Sequence, residues 1–315
     1  MENYGEYSFS TCWNIKRHKN GRDLIGEILD LGFRNVELNY NVTESMMEDI
    51  EPMIVKGEIR VSSVHNVFPY IADRDYDTDS VLLGFDDETK RKRAVELLIR
   101  SMKSADRYGA KAVVVHPGEV PFDYNIDKEL KRIYQEAGRD SSEYRTLWEE
   151  MKTKRDRHAR RYCCRIRDSL EEASDYAVRK GWKVAIGIET RSRCYQIPTL
   201  MEAKWICDEL KGSPVKLWYD IGHAMMMDRM GLYSNRIELP ELLPYIYGVH
   251  IHETLGLSDH WCPYVHSKDK SGFDPFLSAI EVAEVKVYEL KGVCTGAEIA
   301  SSHRLITERL DGRMQ

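Results

Sequence analysis

Short apolar or β-branched runs alternate along this chain with polar loops and longer amphipathic stretches. The short runs read as eight strands: Tyr7–Trp13, Asn35–Asn39, Arg60–His65, Ala112–His116, Val184–Glu189, Val215–Asp220, Gly248–His252 and Val285–Leu290. Helical periodicity predicts Gly21–Leu31, Thr43–Val55, Asp87–Tyr108, a long helix near Arg155–Arg179, Thr199–Leu210, a region around Glu238–Leu243, Pro275–Ala283 and Glu298–Leu310. Regular strand–helix alternation points to parallel β/α units. Continuous apolar strands such as Ala112-Val113-Val114-Val115 suit a wall covered on both faces. A doubly wound sheet is the main rival but rarely needs eight such units. The pattern predicts an α/β chain folded as one (β/α)8 barrel domain over residues 1–315.

Helix punctuation agrees with these boundaries. Asp86 and Asp87 are placed to cap the helix that contains Val95, Leu97, Leu98 and Ile99, and Gly109 closes it. Gly32, Gly57, Gly181 and Gly212 follow other predicted helices. One segment breaks the rhythm: from about Gly118 to Lys154 the chain is rich in Tyr, Glu, Lys and Arg and carries no strand signal. It reads as an enlarged loop or helical insertion after the fourth strand. That position makes it a wall or lid over the face where barrel active sites lie, or else a solvated appendage or oligomer contact.

Composition narrows the function classes. Hydrophobic residues make up 42% and charged residues 31% of 315, which excludes a disordered chain. The net charge of −6 argues against a surface built to grip nucleic acid. The basic stretches Lys90-Arg91-Lys92-Arg93 and Arg155–Arg161 read as solvated helix faces. Apolar runs are too short to cross a bilayer, and Met1-Glu2-Asn3-Tyr4-Gly5-Glu6 lacks the character of a signal peptide, so a cytoplasmic location is expected. Seven irregularly spaced cysteines do not resemble a disulfide framework, and no Cys-x-x-Cys suggests structural zinc.

The chemistry sits where the strands end. The third ends in His65 and the fourth in His116. The fifth ends in Glu189, the sixth in Asp220 with His223 one turn on, the seventh in His250 and His252, and the eighth in Glu289. A lone histidine after an apolar strand is more often a hydrogen-bonded core residue than a ligand. Six successive strands ending this way is another matter, because barrel closure gathers those ends around one axis. Carboxylates and imidazoles converging in a water-poor pocket repel or titrate unless they are paired or metal-bound. The mixed oxygen and nitrogen donors suit zinc, manganese, iron or cobalt, and the lack of thiolates disfavours a structural zinc site.

The segments Val64-His65-Asn66, Val115-His116-Pro117-Gly118, Gly187-Ile188-Glu189-Thr190-Arg191, Tyr219-Asp220-Ile221-Gly222-His223-Ala224, Val249-His250-Ile251-His252-Glu253 and Tyr288-Glu289-Leu290 resemble the xylose isomerase-like TIM-barrel superfamily. That grouping includes sugar-phosphate isomerases and epimerases and the endonuclease IV type of apurinic-site nuclease. The resemblance spans nearly the whole chain, and Asp-x-x-His after the sixth strand is its most specific piece. It implies a metal held by Glu189, Asp220, His250 and Glu289. His250 and His252 lie on the same side of a strand; His250 is favoured because it stands in a His-x-x-acid pattern with Glu253. The nuclease branch adds further ligands, which His65, His116 and His223 match. Its Asp-x-His motif is altered here to Ser258-Asp259-His260-Trp261-Cys262-Pro263, with His266 a few residues on, so His260 or His266 is left to complete a second or third site.

Two mechanisms follow from the resemblance. An isomerase or epimerase of a small sugar, sugar phosphate or polyol would use Glu189 and Glu289 as both ligands and acid/base pair. Arg191 and His223 would orient substrate hydroxyls, His65, His116 and His252 would line the pocket, and Trp13, Phe68, Tyr195 and Trp261 would pack on a sugar ring. An endonuclease IV-like, multi-zinc phosphodiesterase acting on abasic DNA is the alternative; the acidic balance and the altered Asp-x-His stand against it. Other chemistry on the same scaffold, such as polyol dehydration, and a non-catalytic metal-binding relative stay open, as does assembly into a homo-oligomer.

Overall fold

A computed structural model describes residues 4–76, 78, 79 and 82–313, so the first three residues of the N-terminal hexapeptide lie outside the described chain. Eight parallel strands close into a barrel: β1 (Tyr7–Ser10), β2 (Asn35–Leu38), β3 (Arg60–His65), β4 (Ala112–Val115), β5 (Ala185–Glu189), β6 (Val215–Asp220), β7 (Ile246–Ile251) and β8 (Val285–Tyr288). Each neighbours the next in chain order, and β8 pairs with β1 to complete the ring. Among the described residues ten α-helices, α1 (Gly21–Leu31), α2 (Glu44–Val55), α3 (Glu88–Arg107), α4 (Ile126–Ala137), α5 (Ser142–Lys180), α6 (Leu200–Glu209), α7 (Ile221–Met230), α8 (Asn235–Leu242), α9 (Leu277–Val282) and α10 (Gly296–Arg313), connect or extend these strands.

Several helix ends form as the residue types dictate. Asp87 caps α3 by accepting from the backbone N–H groups of Thr89 and Lys90, whereas Asp86 instead accepts from Arg161 and Tyr162. Thr199 and Glu202 form a reciprocal capping box on α6. Gly181 ends α5 with φ 73°, a conformation that favours glycine.

Strand alternation sorts side chains between two cores. One set faces the helices; the other, including Ala112, Val114, Ala185, Trp218, Val285 and Val287, fills the barrel. Trp218 fits only because glycines flank it. A Cβ on Gly187 of β5 would fall 2.8 Å from the indole, and one on Gly248 of β7 would fall 2.2 Å from it. Two positions further along each of these strands, on the same inward face, stand Glu189, Asp220 and His250. The indole therefore floors whatever those side chains build.

Residues 118–154 are mainly helical rather than a loop. Gly118–Glu119 forms a two-residue antiparallel ribbon with Gln196–Ile197, α4 follows, and α5 begins at Ser142, so its 39 residues extend well beyond the expected Arg155–Arg179. Arg155 does not lie on a solvated face: it is 3% exposed, donates to both oxygens of Glu202 at 2.7 Å and ties α5 to the start of α6. Lys90, Arg91 and Arg93 are paired with acids on the surface. All seven cysteines are free. Among the described residues no helix is long and apolar enough to cross a membrane.

Candidate metal centre and active site

The C-terminal ends of the strands converge on His250. Its Nδ1 lies 3.0 Å from Glu189 Oε1, 3.4 Å from Asp220 Oδ2 and 3.3 Å from Glu289 Oε2. One donor atom from each of Glu189, Asp220, His250 and Glu289 falls within 4.8 Å of the others, and all four side chains are buried. Burial opposes a charge on His250, but Glu289 and Glu37, with hydrogen bonds to Asp220 and Glu189, raise its pKa well above the usual imidazole value. In the metal-free arrangement a proton on His250 thus does what a cation would do, offsetting the surrounding carboxylates.

Glu189 is the most tightly held. His116 Nε2 stands 2.5 Å from its Oε2, and Arg191 Nη1 donates to the same oxygen at 2.7 Å. Burial works against its charge, yet His116 and Arg191 keep its pKa well below the carboxylate range. Arg191 also donates to Asp79 at 2.8 Å, which brings the loop after β3 over the site. Among the described residues no arginine pairs with Glu289. Burial, resisted by His250 but reinforced by Glu189, Glu37 and Asp220, pushes it up to about 7.

Two further groups adjoin this one. His65, His116 and Glu189 form the first. His116 is oriented by Thr78, whose carbonyl oxygen lies 2.9 Å from Nδ1, leaving Nε2 to Glu189. His65 is 1% exposed and neither of its ring nitrogens has a hydrogen-bond partner; Nε2 stands 3.7 Å from both Glu37 and Glu289. Burial pushes its pKa down to about 4, so at neutral pH it presents a lone pair. The second group is His223, His252 and His260. Here the imidazoles of His252 and His260 stack 4.1 Å apart, and Asp259 lies 4.0 Å from His223 Nε2.

A buried imidazole with no partner beside a cup of carboxylates is a donor set that fits a divalent cation better than it fits a closed protein network. Glu189, Asp220, His250 and Glu289 would hold the ion, with His65 and His116 adjacent. The two histidines of the seventh strand end differ. His252 Nε2 lies 2.9 Å from Asp220 Oδ1, while its Nδ1 accepts the His260 backbone N–H at 2.9 Å, so both its nitrogens are engaged. Glu253 turns away to accept from the Tyr264 backbone N–H.

Above the cluster lies a cavity of about 410 Å³ whose lining includes Trp13, Tyr40, Arg191, His223, His260 and Lys291. Of the four aromatic residues expected at a sugar ring, only Trp13 lines it. Phe68 is fully buried against Tyr108, Tyr195 packs on Phe122, and Trp261 lies under Lys291 outside the cavity. His266 pairs with Glu298 at 2.9 Å and does not reach the centre, whereas His260 does. The sequence reading missed Glu37, Tyr40 and Asp79. For Glu37 a signal existed: a lone acid between Val36 and Leu38, on the inward phase of β2.

Residues 25–286 match the family model described as a xylose isomerase-like TIM barrel. Comparison with curated protein sequences gave no match. Solved structures share the fold at low identity. A D-tagatose 3-epimerase-like protein aligns with TM-score 0.61 and 14% identity over 98% of this chain and 97% of its own. The 3-keto-D-glucoside 4-epimerase of E. coli gives 0.61 and 16% over 96% and 99%. Endonuclease IV from Thermus thermophilus gives 0.55 and 14% over 98% and 100%.

Proposed function

The chain belongs to the xylose isomerase-like TIM-barrel family, and from that premise we propose that it is a divalent-metal-dependent isomerase or epimerase of a small sugar, sugar phosphate or polyol. The observation that carries this reading is the placement of Glu189 and Glu289. Both are buried, both address His250 Nδ1, and both open onto one cavity of about 410 Å³. A cavity in the range of about 300–1,000 Å³ suits a small ligand.

A cation bound by Glu189, Asp220, His250 and Glu289 would polarise substrate oxygens and so acidify the neighbouring C–H bond. The chain's own groups then divide the proton work. Arg191 and His116 hold the Glu189 carboxylate in one orientation and in its ionised form, ready to take a proton. Glu289, which lacks such partners, is the more readily protonated of the two when no cation is bound and is the group assigned to return the proton. Trp13 and Tyr40 offer faces for the apolar side of a sugar ring, and Arg191, His223 and His260 offer polar contacts for its hydroxyls. Tying Asp220 with His252 favours His250 over His252 as the ligand from the seventh strand.

One observation favours the second reading, a multi-zinc phosphodiesterase acting on abasic DNA. The groups His65–His116–Glu189 and His223–His252–His260 provide more imidazoles than a single ion needs. The deciding experiment pairs metal analysis of the purified chain with two assays. Solvent deuterium entering the carbon skeleton of a ketose or keto-polyol supports the isomerase reading. Cleavage of an abasic oligonucleotide by protein holding two or three ions, without such exchange, replaces it with the nuclease reading.

A further inference from the structure

β2 sends one acid into the barrel that takes part in none of the steps above. Glu37 is fully buried, stands opposite Ser63 in the β2–β3 register and accepts the Ser63 hydroxyl at 2.7 Å. Its carboxylate reaches across the barrel to β7, where both oxygens lie 3.2 Å from His250 Nε2. The opposite ring nitrogen, Nδ1, is the one that faces Glu189, Asp220 and Glu289. The imidazole cannot easily turn: His65 stacks on it at 5.3 Å and 13°, and Trp218 meets it edge-on at 5.3 Å.

We propose that Glu37 is a positioning residue that holds His250 in the Nε2–H tautomer and so leaves Nδ1 as a lone-pair donor toward the Glu189–Asp220–Glu289 cup. The inference rests on the metal-dependent reading. A neutral imidazole carries one N–H. With nothing to accept it at Nε2, that proton is better placed on Nδ1, where Glu189 and Glu289 are acceptors, and Nδ1 is then closed to a cation. Glu37 offers a competing acceptor at a point no water reaches, and the Ser63 hydroxyl keeps its carboxylate aimed. A donor atom of Glu37 also lies within 4.8 Å of those of His65, His250 and Glu289, so direct ligation by Glu37 is the rival to separate.

The test is zinc titration of the full chain by calorimetry, combined with long-range ¹⁵N–¹H spectra of His250 in the zinc-loaded protein, for wild type, Glu37→Gln and Glu37→Leu. The wild type is expected to show Nε2–H. Glu37→Gln, whose amide oxygen still accepts from Nε2, should lose less than about tenfold in affinity, while Glu37→Leu should lose about 10- to 100-fold. Glu37→Leu binding zinc as tightly as the wild type overturns the proposal. Equal losses in both variants also overturn it, because they mark Glu37 as a ligand. Should Glu37→Leu not fold, Glu37→Asp takes its place: it keeps the charge but withdraws the carboxylate, so a loss of about tenfold supports the proposal and unchanged affinity overturns it. Wild type that binds no zinc removes the metal-dependent reading and this inference together, whereas indifferent variants of a zinc-binding wild type remove this inference alone.

Discussion

Glu189 and Glu289 stand three strands apart in the barrel ring, yet both address one atom, His250 Nδ1, at 3.0 and 3.3 Å. Their surroundings drive them in opposite directions. Burial disfavours charge on each, but Glu189 has His116 and Arg191 to hold it ionised. Glu289 has three acids nearby, with His250 the main group offsetting burial and their charge, and is brought up to about 7. Without a cation the two carboxyl groups therefore differ in protonation, and under the proposed function this unequal proton affinity sorts them into base and acid.

Glu289→Gln separates this role from a structural one. The amide is isosteric and relieves repulsion among the buried acids, so the variant should fold with a melting temperature at or above that of the metal-free wild type. Deuterium exchange into substrate should fall by about 10²- to 10⁴-fold, the usual contribution of a positioned acid or base. A circular dichroism melt and a mass-spectrometric exchange assay check both parts. Unchanged exchange would take Glu289 out of the mechanism.

Metal removal should be visible in stability before any substrate is known. Glu37, Glu189, Asp220 and Glu289 crowd around His250 and His65, and among the described residues Arg191 is the one arginine in contact with them. An ion that binds the folded chain alone stabilises it by about 2.7 kcal/mol at a concentration 100 times its Kd. For a chain of this size that corresponds to a rise of about 5 °C in Tm. Thermal scans with EDTA and with added Mn²⁺, Co²⁺ or Zn²⁺ should differ by that order. Coincident melts across all four conditions would argue that the cluster is a closed network of protonated groups.

The pH dependence of metal binding follows from the same shifts. Below about pH 7 Glu289 holds a proton in the metal-free protein, and His250 holds one to well above its ordinary range. A cation must displace both, so affinity should climb steeply with pH up to about 7, with nearly two protons released per ion. Above that, Glu289 is already ionised and only the His250 proton remains, so the slope should fall to about one. Calorimetry in buffers of different ionisation enthalpy counts these protons directly. A release that grows as pH rises from 6 to 8 would contradict the assigned order of the two groups.

Much of the barrel was legible because short strands such as Ala112–Val115 are apolar on both faces and alternate with longer amphipathic stretches closed by capping residues. The donors from β3 to β8 were legible for a related reason: a charge at the end of an apolar strand has no bland place to go. Glu37 escaped because it lies inside its strand rather than at the end, where only the inward phase of β2 distinguishes it from a surface acid. The Gly118–Glu119 ribbon is two residues long, too short for any period to register. The early half of α5 was left open between loop and helix because its polar residues outnumber the few, such as Tyr144 and Met151, that it buries. Phe68, Tyr195 and Trp261 were misplaced because loop geometry, which composition does not encode, decides which way an aromatic residue turns.

Gly222→Ala probes the second group of imidazoles without replacing a candidate ligand. Gly222 sits at the start of α7, and an added Cβ would lie 2.0 Å from Cε1 and Nδ1 of His252. The ring has little freedom to retreat, since Asp220 holds one edge at 2.9 Å and the His260 backbone N–H holds the other at 2.9 Å. The methyl group should therefore break one of these contacts and cost about 1–3 kcal/mol. If the wild type takes up more than one ion, this variant should lose the equivalent that depends on His223, His252 and His260 while keeping the one at Glu189, Asp220, His250 and Glu289. Denaturant melts and metal analysis of the same preparation read the two effects. A variant as stable as the wild type, with full metal content, would mean that His252 has room to move, and that the tight fit between α7 and the end of β7 does not set the geometry of this half of the site.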